Sequence, residues 1–325
     1  MKEIMVIRFS SIGDIVLCTP VIRLLKKRFP ESKITFVTKS KFAHLLSKNP
    51  YIERILCWDH DLQRIELSQI QFDIIVDLHS NLRSLMVKLR FWQVPSLSLS
   101  KKNLNKFLYT ITKWNIFKVD SIVQRSIQTL MPLGISDDKE GLDFQVSDIE
   151  VSSELEFGLL DDYLVVVLGG TYFTKRIPEN KLEEFFRSFP KNKIALIGGK
   201  EEFELGKRLE KKYEGSVVSF CGQLSIEESA KLMSRSKVVI SGDTGMAHIA
   251  AALGCSIGLI WGNTAPGYGM SPVVKEGVEI EHFVVPDLNC WPCSKLGYSD
   301  CPKGHFKCMQ GQNMVEVSKF VEKYL

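Results

Sequence analysis

Directly after its first apolar run the chain carries Arg8-Phe9-Ser10-Ser11-Ile12-Gly13-Asp14. Gly13 permits close backbone approach, and Asp14 falls at the start of a helix, where a carboxylate can take a proton from an attacking hydroxyl. Ser10, Ser11 and Asp14 are also the residue types that cap a helix, so spacing alone leaves both readings open. A second loop, Gly169-Gly170-Thr171-Tyr172-Phe173-Thr174-Lys175-Arg176-Ile177-Pro178, follows another apolar run. It offers free backbone, the hydroxyls of Thr171 and Thr174 and two cations, Lys175 and Arg176. That set suits a diphosphate; without a ligand it is a solvated turn. A third segment, Ser241-Gly242-Asp243-Thr244-Gly245-Met246-Ala247-His248, joins a strand pattern to a helix pattern. Gly242 and Gly245 open backbone N–H groups at a helix start, which is an anion site. Thr244 and His248 are four apart and share a helix face, though His248 alone suits a packed core. Asp243 is wrong for direct anion contact; it is expected to cap the helix or accept bonds from nearby hydroxyls or amides. After Gly198-Gly199 come Glu201, Glu202 and Glu204. Any one of them can chelate ribose hydroxyls or simply complement a helix N-terminus.

Two further groups suggest metals. Cys290-Trp291-Pro292-Cys293 precedes Cys301, His305 and Cys308, a zinc-type set whose second pair departs from CxxC spacing. Structural zinc on Cys290, Cys293, Cys301 and Cys308, a redox pair and reduced packing thiols all remain open. Asp59-His60-Asp61 offers two carboxylates to a divalent ion, but it lies in the opposite half of the chain from the diphosphate loop.

These motifs need rigid elements behind them, and the chain supplies short apolar runs alternating with amphipathic stretches. That alternation is the pattern of repeated strand–helix units with parallel sheets. The first half predicts strands at Glu3–Phe9, Lys33–Thr38, Arg54–Trp58, Phe72–Leu78 and Ser96–Leu99. Its helices fall at Ile15–Phe29, Leu104–Trp114 and Ser121–Leu133. The polar stretch 136–162 reads as a linker. The second half predicts strands at Tyr163–Leu168, Lys193–Ile197, Val217–Phe220, Val238–Ser241 and Ser256–Trp261. Helices are predicted at Glu179–Phe189, Glu202–Tyr213, Ile226–Ser234, Gly245–Leu253 and Met314–Tyr324. Two domains are expected, 1–150 and 151–325, with a cleft between them and every polar motif at a strand's carboxyl end.

The 325 residues are 45% apolar and 25% charged, ample for two buried cores. Net charge is only +4, but residues 1–150 hold 22 Lys/Arg against 16 Asp/Glu. From His79 to Lys118 there are eight basic residues and no acidic one. Such a field attracts phosphates, an anionic membrane surface or nucleic acid, unless it is a solvated helical face. No window has the roughly 20 apolar residues of a membrane span, and the first strand starts near Met1 without a leader. A cytoplasmic protein is expected. Cys18, Cys57, Cys221 and Cys255 read as reduced packing residues.

Taken together, the chain resembles glycosyltransferase family 9, the heptosyltransferases. The likeness rests on the run from Arg8 to Pro20, the run Asp243-Thr244-Gly245-Met246-Ala247-His248-Ile249-Ala250-Ala251-Ala252-Leu253-Gly254, and the cysteine tail from Cys290 to Cys308. It covers nearly the whole chain. The resemblance implies an α/β GT-B fold: two Rossmann-like domains with parallel sheets facing a central cleft, acceptor on the first and donor on the second. It implies inverting, metal-independent transfer of heptose from ADP-heptose to the Kdo-lipid A inner core of lipopolysaccharide. No cofactor beyond the ADP-sugar co-substrate is implied. Asp14 would be the general base, with Ser11 and Gly13 beside the acceptor. Thr171, Lys175, Glu202, Asp243, Thr244, Gly245 and His248 would hold the donor. The implied partners are a nucleotide-sugar, a phosphorylated lipid or oligosaccharide acceptor and the inner-membrane surface, which the protein would meet peripherally, but not nucleic acid. Ile177 stands where many members carry tryptophan, and Asn263 and Ala265 replace their proline and aspartate. The alternatives are another nucleotide-sugar or acceptor within the family, or a non-catalytic nucleotide-binding α/β protein. A dinucleotide enzyme would need a glycine fingerprint that residues 8–14 do not supply.

Overall fold

In a computed structural model the described residues are 1–59, 70–146 and 162–325. They pack as two compact units. The first is Met1–Asn103 with Asp120–Gln145; the second joins Leu104–Val119 to the chain from Asp162 onward.

The first unit contains β1 (Glu3–Ile7), α1 (Ile12–Val16), α2 (Thr19–Arg28), β2 (Lys33–Thr38), α3 (Ser40–Ala43), β3 (Arg54–Cys57), β4 (Ile74–Asp77), α4 (Leu82–Arg90) and β5 (Ser96–Ser98). After an excursion through α5 (Asn103–Thr112), it closes with α6 (Ile122–Gln128). Its strands form a parallel sheet in the order β3-β2-β1-β4-β5. Ile4 lies between Ile34 and Ile74 in register. Both faces are covered, so Ile4–Ile7 of β1 and Ile74–Val76 of β4 are consecutive apolar residues rather than alternating ones.

The single helix expected over Ile15–Phe29 is two, broken at Leu17 and Cys18. Pro20, the second residue of α2, has no N–H, and its ring excludes the carbonyl four residues back. That carbonyl, Val16 O, is taken instead by the Thr19 hydroxyl at 2.7 Å. The described part of the expected linker is also structured. Arg23 on α2 pairs with Asp138 and Asp143 and donates to Gly141 O, strapping these residues to the first unit. Residues 147–161 of that stretch lie outside the described residues, as do His60 and Asp61. Asp59 accepts from the Ser40 N–H and hydroxyl.

The second unit contains β6 (Tyr163–Val167), α7 (Glu179–Phe186), β7 (Lys193–Ile197), α8 (Phe203–Lys212), β8 (Val217–Ser219), α9 (Ile226–Ser234), β9 (Val239–Gly242), α10 (Gly245–Ala252), β10 (Ile257–Ile260), β11 (Ile280–Phe283), α11 (Lys307–Gln310) and α12 (Met314–Glu322). The parallel sheet runs β11-β10-β9-β6-β7-β8. Helix α5 packs here: Tyr109 sits edge-on to Tyr268 and against Ala265, and the Thr110 hydroxyl meets Tyr268 Oη at 2.8 Å. No helix among the described residues is long and apolar enough to cross a membrane.

Candidate active site

In each sheet the strand order reverses once, between β1 and β4 in the first unit and between β6 and β9 in the second. Crevices at such switch points, at the carboxyl ends of the strands, are where open α/β sheets hold ligands. Both switch points are polar here.

At the first, Asp14 lies on α1 directly after β1. Ser11 is the helix cap; its N–H and hydroxyl both donate to Asp14 Oδ2, at 3.1 and 2.9 Å. The other oxygen, Oδ1, lies 2.5 Å from Arg8 Nη2. The capping reading of this motif therefore holds, and the same carboxylate also pairs with Arg8. Burial pushes the Asp14 carboxyl up. The Arg8 charge and the Ser11 hydrogen bonds outweigh it and hold the group below the usual aspartate value. Arg8 is itself fixed, donating to Ser10 O and Leu78 O.

His79 follows β4 and stacks edge-on against Phe9. Burial, then the charges of Arg8 and Lys101, push its imidazole down to about 4, so it is neutral at pH 7. Its buried Nδ1 has no hydrogen-bond partner among the described residues, nor has Nη2 of the buried Arg125. Arg8, His79 and Arg125 are site residues that motif reading missed. His79 and Arg125 meet elements far away in sequence, whereas Arg8 pairs with Asp14 six residues on; the basic run beginning at His79 signalled His79 alone.

At the second switch point, Lys175 Nζ meets Asp243 Oδ2 at 2.7 Å, and the buried Thr264 hydroxyl donates to the same oxygen at 2.8 Å. Asp243 thus accepts from a hydroxyl, as its type suggested, and it also aims the lysine. Thr244 caps α10 and shares a hydrogen bond with Ser241 at 3.1 Å, while His248 is buried one turn on. The N–H groups of the first turn, from Gly245, open at the end of β9.

Two glycines set this spacing. A Cβ on Gly242 would lie 2.2 Å from Lys175 O, and one on Gly262 would lie 2.1 Å from Thr174 O. The Lys175 loop can lie down across β9 and β10 only because both side chains are missing. The buried Thr174 hydroxyl holds the loop from above, accepting from Tyr298 N at 2.8 Å. Thr171, by contrast, is exposed.

Arg176 is committed elsewhere. It donates to Gly170 O and pairs with Glu201 and Glu202, which leaves Lys175 as the cation of the pair nearest α10. Among the three glutamates only Glu202 is buried; it accepts from Gly199 N and lies against Gly169 at the end of β6. Glu201 and Glu204 point to solvent.

The tail cysteines gather behind this site. Cys290 Sγ lies 3.7 Å from His305 Nε2, and Phe306 N donates to Cys301 Sγ. Burial and neighbouring thiols raise Cys293 to about 11 and Cys308 to about 12. None of the eight cysteines is in a disulfide, and among the described residues no three ligating side chains converge on a metal position.

The arrangement offers a carboxylate held ionised in one unit and an oriented lysine beside a helix N-terminus in the other. The chain as a whole is similar to known proteins. Residues 63–296 fit the model of glycosyltransferase family 9 (heptosyltransferase). The chain is 24% identical to lipopolysaccharide heptosyltransferase 1 of Pseudomonas aeruginosa over 90% of its length and 86% of that protein. It is 23% identical to the Escherichia coli K12 enzyme of the same name over 84% and 92%. Its fold matches a family 9 glycosyltransferase from Veillonella parvula, with a TM-score of 0.76, 20% identity and coverage of 99% and 97%. It also matches the E. coli heptosyltransferase WaaC solved with ADP, with a TM-score of 0.68, 18% identity and coverage of 99% and 100%. The two parallel-sheet units are those of the GT-B fold, and the chain belongs to glycosyltransferase family 9, the heptosyltransferases.

Proposed function

We propose that this glycosyltransferase moves heptose from ADP-heptose onto the inner core of lipopolysaccharide, with inversion, without a metal, and from a peripheral position at a membrane. The observation that carries the reading is Asp14: a carboxylate at a topological switch point, kept ionised by Arg8 and Ser11. The acceptor hydroxyl gives its proton to Asp14 while its oxygen attacks the anomeric carbon from the face opposite the diphosphate. The bond from that carbon to the diphosphate oxygen breaks, and its electron pair leaves with ADP. Lys175 and the N-terminus of α10 stabilise the departing charge, the task a metal has in other transferases. Asp243 orients Lys175. Thr171, Thr244 and Gly245 lie along the diphosphate, His248 shapes the pocket, and Glu202 takes the ribose. Ser11 and Gly13 flank the acceptor. The names of relatives support the donor: one solved WaaC structure contains ADP and another ADP-2-deoxy-2-fluoro heptose.

Asp14→Asn tests the base. Turnover should fall about 100- to 10,000-fold while ADP still binds in calorimetry. Near-normal turnover at saturating acceptor would overturn the assignment.

One observation favours a different sugar within the family. Ala265, where many members carry an aspartate, is fully buried against Tyr109 and Tyr268 and offers no polar group. Titration with ADP, UDP and GDP separates the readings. Selective ADP binding that weakens in Lys175→Ala supports ADP-heptose; selective UDP or GDP binding keeps the reaction and discards that donor.

A further inference from the structure

Exposed large apolar side chains are concentrated in one stretch of the chain, and they are ordered there. On α4 and the turn after it, Leu82, Leu85, Leu89 and Trp92 recur at spacings of three, four and three, all exposed. On α5 and its following turn, Leu104, Phe107, Ile111 and Trp114 repeat the same spacing, again exposed. Helical period puts Leu82, Leu85 and Leu89 on one face of α4 and Leu104, Phe107 and Ile111 on one face of α5, with Trp92 and Trp114 in the turns that follow. Trp92 is 76% and Leu82 75% exposed, so these are not core residues seen edge-on. On α5 the core-facing side is accounted for separately: Tyr109 is buried against Tyr268. Contiguous exposed apolar stripes of this kind are uncommon on soluble surfaces unless something covers them.

The charge around the stripes selects the cover. From His79 to Lys118 there is no Asp or Glu, and eight Lys and Arg are interleaved with the apolar positions. A protein partner with an ordinary mixed surface, or a second copy of this chain, would bring like charges face to face. A bilayer bearing anionic headgroups takes both components at once: leucine, phenylalanine and tryptophan enter the headgroup boundary while lysine and arginine meet phosphate. Tryptophan at the end of each stripe suits that boundary.

We infer that α4 and α5 are two interfacial anchors, one on each unit, that seat the protein on an anionic phospholipid surface by shallow insertion as well as by charge. This rests on the proposed reaction at a membrane and names the elements that reach it.

Flotation with vesicles of phosphatidylcholine alone, and with equal parts phosphatidylglycerol, tests it. The full chain should bind the anionic vesicles more tightly, with the emission of its exposed tryptophans shifting to shorter wavelength. Added salt should weaken the binding without abolishing it. The pairs Leu89→Glu/Trp92→Glu and Phe107→Glu/Trp114→Glu should each weaken binding about tenfold or more. The control pair Leu296→Glu/Val315→Glu, equally exposed but outside the stripes, should not. Turnover on a deacylated, water-soluble acceptor should be unchanged in all three. Absence of vesicle binding by an enzyme that turns over overturns the inference and leaves the reaction standing. Binding without turnover on any acceptor does the reverse. Equal loss in the control pair overturns the inference, as does conversion of a dimer to a monomer by the stripe variants with vesicle binding intact.

Discussion

In the proposed reaction Arg8 and Asp14 set the pH at which the base is lost. Asp14 must be unprotonated to accept a proton, and its carboxyl titrates below the usual aspartate value of 3.8. The kcat profile should therefore stay flat down to the ordinary aspartate range. In Arg8→Met the opposing burial is left uncancelled, so the carboxyl rises and the acid limb moves to higher pH; Arg8→Lys should restore most of the profile. A purely structural role for Arg8 would lower the plateau without moving the limb. Stability follows the same sign: a carboxyl lowered in the fold contributes above its unfolded pKa, and that contribution is lost as pH falls through the folded pKa. In the second unit, Gly242→Ala would force its methyl against Lys175 O. The loop must lift, taking Lys175 away from Asp243, so ADP affinity should fall about tenfold or more in calorimetry while the units stay folded. Asp14, Lys175 and residues 243–248 were legible in the sequence because glycines beside polar residues at strand ends mark such turns. Thr264 and His79 were not, because their partners arrive from other strands; Arg8 stands in the first motif, but its pairing with Asp14 depends on the turn between them.

At the scale of elements, the central strands were readable because both faces of each sheet are covered there and their buried positions are consecutive apolar residues. β11 escaped for the opposite reason: Ile280–Phe283 is an edge strand with Glu281 and His282 exposed, so its sequence does not look buried. α4 escaped because Val87 is its only apolar residue buried in the core, while Leu82, Leu85, Met86 and Leu89 are exposed. The strap from α2 was hidden in a run of aspartates that reads as linker. It has a measurable weight. Arg23 is buried, and Asp138 and Asp143 are nearly so. Arg23→Met removes the shared cation, leaving Asp138 with Lys27 alone, and should cost about 3 kcal/mol in urea unfolding. Burial raises the Asp138 carboxyl, but bonds from Arg23 and Lys27 pull it well below its usual range. The strap's contribution should accordingly be complete near neutral pH and fade as pH falls into the acid range.

At the scale of the whole molecule, the units are not two consecutive lengths of chain. The first unit is interrupted by Leu104–Val119, which belongs to the second. Periodicity announces a helix there but not which sheet it serves. A fragment beginning at Asp162 lacks α5 and uncovers Tyr268, Ala265 and Trp291. It should be less soluble than the same fragment carrying residues 103–119 fused through a flexible linker, and should melt several degrees lower.

That interruption also fixes an order of events on the ribosome. Tyr109 is made 159 residues before its partner Tyr268. At about 5–20 residues per second, α5 waits roughly 10–30 s for a surface to pack on. During that interval both of its faces are bare, the one later covered by Tyr268 and the one bearing Phe107 and Trp114. The nascent chain thus presents a basic, doubly apolar helix while its second half is still being translated. Whatever shields α5 in that window, a chaperone or the lipid surface itself, meets this protein before its second unit exists.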